Sequence, residues 1–105
     1  VRHGEGKLVP RDQEVLESLR EQALIALRYA HTHGGIASQY PENPNGSPDG
    51  IAGLSDPTGR IFGLMPHPEA FHHPTNHPAW TRAENGALGS ALFANAVSYL
   101  HVLQD

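Results

Sequence analysis

The 105-residue sequence predicts an α/β fold of mixed short strands, with a β-hairpin and a C-terminal helix. Three observations carry this expectation. An acidic cap, Asp12, precedes a stretch with helical spacing of Val15, Leu16 and Leu19. Two short apolar runs flank the turn signal SDPTG at 55–59. The last twenty or so residues carry one broad apolar stripe at helical period.

In chain order, Lys7–Val9 reads as a short strand cut off by Pro10. Gln13–Gln22 reads as an amphipathic helix. Ala23–Ala30, ALIALRYA, reads as a buried strand, although its Ala and Leu would also suit a continued helix. Thr32–Gly50 is dominated by Gly, Pro, Asn and Ser, so it is a long loop. Long ordered loops in compact domains are often functional. Ile51–Leu54 and Arg60–Met65 form the hairpin strands. Thr81 and Glu84 have capping-box spacing. The closing helix from Glu84 to Leu103 presents Leu88, Leu92, Ala96, Tyr99 and Leu103, widened by Phe93, Val97 and Leu100. Gly86 and Gly89 weaken its start.

Composition narrows the function classes. Net charge is −4, and the seven Lys and Arg residues form no run, which argues against a nucleic-acid footprint. The chain has no cysteine, which excludes disulfides, zinc–thiolate sites and a cysteine nucleophile within it. No apolar run reaches the roughly 20 residues of a membrane-spanning helix, and the first residues lack a signal-peptide core. A cytoplasmic location is the expectation. The chain begins without Met, directly before a compact HGEGK motif, which suggests a fragment or a processed chain.

The densest chemistry lies in GLMPHPEAFHHPTNHPAW, residues 63–80, with four of the eight histidines and four prolines. Three readings are open. As a metal site, His67, Glu69, His72, His73 and His77 are suitable ligand types. The prolines forbid helical ligand spacing through most of the segment and no HExxH occurs, so no native metal is expected. As a plain loop, His72, His73 and His77 are solvated side chains, like His31, His33 and His101 elsewhere. As catalytic machinery, His67 and Glu69 lie two apart just past an apolar strand. In extended backbone such residues share a side. A carboxylate on one imidazole nitrogen fixes the tautomer, and the other nitrogen is left to act as a base. That supplies the base and the orienting group of a triad without its nucleophile.

Residues Tyr40–Glu69, YPENPNGSPDGIAGLSDPTGRIFGLMPHPE, together with HGEGK at 3–7 and ALIALRY at 23–29, resemble the glutaminase portion of the phosphoribosylformylglycinamidine synthases. These are class I (Cys-His-Glu) glutamine amidotransferases with a flavodoxin-like domain. The resemblance continues weakly into LFANAVSYL of the closing helix. It implies that residues 1–105 are the C-terminal portion of such a domain, with the nucleophile-bearing N-terminal half absent. It assigns His67 as triad base and Glu69 as its orienter. It places His3, Gly4 and Glu5 at the glutamine pocket. Gly4 would let backbone approach the substrate, while His3 and Glu5 either line the pocket or hold the loop. The loop Asn43–Gly50 either faces the synthase domain across the ammonia path or is a packed structural loop.

Two departures stand out. Ala70 occupies a position where the family usually has Arg, and FHHPTNHPAWTR is outside the recognised motifs. The implied partners are glutamine, the missing half-domain, a synthase domain or subunit, and a second copy of the chain. No cofactor is expected in this chain. ATP and Mg belong to the synthase, and no GxxxxGK phosphate loop occurs here. The isolated chain is expected to be inactive. The competing functions are a non-catalytic amidotransferase-like interaction module and a histidine-rich metal-binding protein.

Overall fold

A computed structural model describes residues 6–76, 81 and 88–104. His3, Gly4 and Glu5 lie outside the described residues, as do His77 and Glu84. The chain forms two compact units, one ending at Pro66 and the other beginning at His67.

The first unit opens with helix α1, Gln13–Glu21. Asp12 starts it as the sequence predicts: its backbone is extended and its Oδ1 accepts from the Val15 N–H at 2.9 Å. Glu14 in the first turn and Arg20 in the last suit the helix dipole. Leu16 is the buried residue of this helix. The helix ends in a Schellman motif, with Leu24 N–H donating to Leu19 O at 3.0 Å and Ala23 N–H to Arg20 O at 3.2 Å. Ala23 therefore sits at φ 55°, in left-handed backbone that usually falls to glycine. The expectation of a strand from Ala23 onward is corrected here. The helix cap claims that residue, and β1 spans only Ile25–Arg28.

The sheet has the order β1-β2-β3, with β2 at Ile51–Ser55 and β3 at Phe62–Leu64. Both pairings are antiparallel. The hairpin registers Gly53 with Leu64 and Ser55 with Phe62. Its turn is closed by Asp56, whose carboxylate accepts from the Thr58 hydroxyl and from the Arg60 and Ile61 N–H groups. Gly59 leaves the turn at φ 72°, a conformation that favours glycine. Central β2 holds Ile51 and Ala52 in the core, with Leu16, Tyr29 and Ala37. The sheet also lines an apolar recess of about 200 Å³, walled by Leu8, Leu54, Leu64 and Met65 among others.

Lys7–Val9 is not a strand. The Leu8 N–H donates to the Ser47 hydroxyl at 3.0 Å rather than to a neighbouring strand. The long loop is knit around Asn43, which is fully buried. Its amide nitrogen donates to Ala37 O at 3.1 Å and Ser47 O at 2.9 Å, and its Oδ1 accepts from Ser47 N–H at 3.0 Å. Buried polar groups need such partners. Gly50 closes the loop at φ 65°, where a Cβ would lie 2.8 Å from Ile36 Cγ2 and 3.0 Å from Ala37 O. Asp49, beside it at φ 56°, makes a two-point ion pair with the Arg20 guanidinium, and the second contact is 2.7 Å.

The second unit contains two single 3-10 turns, Pro68–Ala70 and Pro74–Asn76, and helix α2, Ser90–Gln104. Proline at the first position of each turn fits, because its φ is preset and its missing N–H is not needed there. The helix starts just after Gly89, later than its apolar stripe alone suggests. Among the described residues no helix is long and apolar enough to cross a membrane.

Candidate functional site

His67 follows the hairpin's second strand, with Pro66 before it and Pro68 after it. Its backbone is extended, at φ −83° and ψ 101°. The chain then folds into the 3-10 turn Pro68–Ala70, with Ala70 N–H donating to His67 O and Phe71 N–H to Pro68 O, each at 3.1 Å. The expectation of extended backbone across all three residues is corrected here. Proline at 68 begins a turn, and the turn brings Glu69 back toward the imidazole.

His67 Nδ1 lies 2.7 Å from Glu69 Oε1. The Glu69 carboxyl is held below its ordinary 4.5, first by its own backbone N–H and then by the His67 ring. It is therefore the ionised acceptor near neutral pH, and Nδ1–H is the donor. In the neutral ring this leaves the Nε2 lone pair free to take a proton. Both side chains are about 60% exposed, at 60% and 61%. The geometry belongs to the turn itself, since no buried packing holds it.

His73 and His31 make contacts of their own. His73 Nδ1 accepts from Thr75 N–H at 3.2 Å and lies 2.9 Å from its hydroxyl. The Asn76 side-chain oxygen Oδ1 accepts from His73 N–H at 3.0 Å. These contacts cap the second turn. His31 stacks on His33 with ring centroids 5.5 Å apart and lies 4.0 Å from Glu42. Among the described residues no group of three or more His, Cys, Asp or Glu is placed to hold a metal ion.

A feature the sequence does not announce lies at the start of α2. The Gly89 N–H donates to Phe71 O at 2.7 Å. A Cβ at Gly89 would overlap the Pro68 carbonyl oxygen and lie 2.5 Å from its carbonyl carbon. In the sequence this glycine reads only as a weak helix start.

A profile of the CobB/CobQ-like glutamine amidotransferase domain matches residues 1–100. The chain belongs to this glutamine amidotransferase family. Among its relatives is the phosphoribosylformylglycinamidine synthase subunit PurQ of Methanothrix thermoacetophila. The two are 44% identical over 82 residues, covering 74% of this chain and 31% of that protein. The chain thus spans about a third of the length of that relative.

Proposed function

We propose that this chain is part of a glutaminase that hydrolyses glutamine and supplies ammonia for formylglycinamidine ribonucleotide synthesis in purine biosynthesis. The observation that carries the reading is the 2.7 Å contact between His67 Nδ1 and Glu69 Oε1 within an amidotransferase sequence. The relative's name, a phosphoribosylformylglycinamidine synthase subunit, supports the choice of acceptor reaction.

The chain contains no cysteine, so the nucleophile must come from another segment. In the assembled site His67 Nε2 takes the thiol proton as sulfur attacks the glutamine side-chain carbonyl. The tetrahedral adduct collapses as the C–N bond breaks. The imidazolium gives its proton to the departing nitrogen, which leaves as ammonia. Water, deprotonated by His67, then cleaves the glutamyl thioester to glutamate and regenerates the thiol. Glu69 holds the ring with Nε2 toward the reaction and offsets its positive charge while it is protonated. His3, Gly4 and Glu5 contribute to the glutamine pocket. ATP and Mg act in the synthase partner, which receives the ammonia. By itself the chain does not hydrolyse glutamine, because removing a triad nucleophile costs nearly all of the rate.

A non-catalytic interaction module is the second reading, favoured by the absence of cysteine and the exposure of the dyad. The two separate in one assay. The chain is combined with a segment carrying the cysteine elbow and glutamate release is measured. Release that depends on His67 supports the glutaminase; an inert but bound pair supports the module.

A further inference from the structure

We propose that Gly89 is a positioning residue for the His67–Glu69 pair, because its bare Cα lets the start of α2 brace the turn that carries Glu69. The inference rests on the reading of His67 and Glu69 as base and orienter.

The brace touches both ends of the turn. At one end the Gly89 N–H donates to Phe71 O at 2.7 Å. At the other, Gly89 lies against Pro68, so that an added Cβ would overlap the carbonyl oxygen and stand 3.0 Å from Pro68 Cα. That same carbonyl accepts the Phe71 N–H that closes the turn. Glu69 lies between these two anchor points in the chain. Steric closeness, rather than left-handed backbone, is what requires glycine here. Gly63, by contrast, would have nothing within 4 Å of an added Cβ, and Gly35 would have only an ordinary contact at 3.6 Å.

Gly89 is also tied to the helix. Its carbonyl accepts from Leu92 N–H at 3.3 Å, and the carbonyl of Leu88 accepts from Ala91 N–H at 3.0 Å. A side chain at 89 must therefore displace either the helix start or the turn. The dyad is exposed, so packing does not hold its rotamers. The turn sets its geometry, and the interactions that keep Glu69 ionised, its own N–H and the His67 ring, depend on that turn. A displacement of about 1 Å at a catalytic group can cost up to about 100-fold in rate.

The test is Gly89→Ala, with Gly35→Ala as the control and His67→Ala in the same series. Each chain is assayed in assembly with the cysteine-bearing segment, and the Glu69 carboxyl is titrated by NMR. Gly89→Ala is expected to lower kcat roughly 10- to 100-fold with KM for glutamine little changed. Its Glu69 carboxyl should titrate closer to the ordinary value, while Gly35→Ala alters neither. Wild-type kcat and wild-type Glu69 titration in Gly89→Ala would overturn the inference. Should that variant fail to fold, the wild-type chain decides. Its Gly89 amide resonance is expected to move with the Glu69 titration, and independence of the two would overturn the brace. An active His67→Ala would remove the glutaminase reading and this inference with it. An inactive His67→Ala beside an unaffected Gly89→Ala would remove this inference alone.

Discussion

The imidazole of His67 and the carboxylate of Glu69 meet at 2.7 Å across a 3-10 turn opened by Pro68. A turn of three residues makes the contact local, so it does not depend on a partner chain to form. Under the proposed glutaminase function, a partner segment adds the nucleophile and the enclosure that a 60% exposed pair lacks.

Glu69→Gln keeps the size of the side chain and removes its charge. In the assembled enzyme kcat is expected to fall by roughly 10²- to 10⁴-fold, since the ring loses both its fixed tautomer and its counter-charge. The pH sign follows from the lowered Glu69 pKa. Its contribution is fully present above the ordinary 4.5 and is lost as pH falls through the lower folded value. Between pH 5 and 8 the carboxylate stays charged, so NMR should find its midpoint below 4.5. A midpoint at or above that value would contradict the contact.

Asn43→Ala should destabilise the first unit by about 2–4 kcal/mol, because Ala37 O, Ser47 O and Ser47 N–H all lose their buried partner. Urea unfolding measures this. A change of a few tenths would show that water replaces the amide without cost.

Ala23→Gly should stabilise the chain. The residue holds left-handed backbone at φ 55°, which costs an L side chain roughly 1–2 kcal/mol. Part of that gain is returned as extra freedom of glycine in the unfolded chain. A net gain of about 0.5–1 kcal/mol is expected, seen as a rise of a few degrees in Tm. A lower Tm would place the strain elsewhere.

Helix α2 is apolar on most sides, and Leu92, Phe93, Val97, Tyr99, Leu100 and Val102 are 40–71% exposed. Helices of this kind are normally buried. The isolated chain is therefore expected to self-associate, with the sedimentation coefficient rising with concentration and falling again in Phe93→Glu. A strictly monomeric profile at high concentration would contradict this.

The sequence makes some of these features legible and hides others, for physical reasons. Asp12 and the spacing of Val15, Leu16 and Leu19 announce α1, and SDPTG announces the hairpin, because caps and turns act through neighbouring residues. HPE announces the dyad through its family motif. Its backbone is not legible there, because i, i+2 spacing does not distinguish a strand from a 3-10 turn. Ala23 reads as strand because alanine gives no sign of left-handed backbone; the bonds from Leu24 and Ala23 back to α1 decide it. Asn43 reads only as one residue of a polar loop, synthase-facing or packed, until its three partners are seen together. Gly89 has no signal beyond being glycine, since what demands it is Pro68, distant in the chain.

The most direct test of the central claim is glutamate release when this chain is combined with a cysteine-bearing amidotransferase segment. The expected result is hydrolysis that neither part shows alone and that His67→Ala lowers by at least about 10³-fold. Hydrolysis that survives His67→Ala undiminished would show that His67 is not the base.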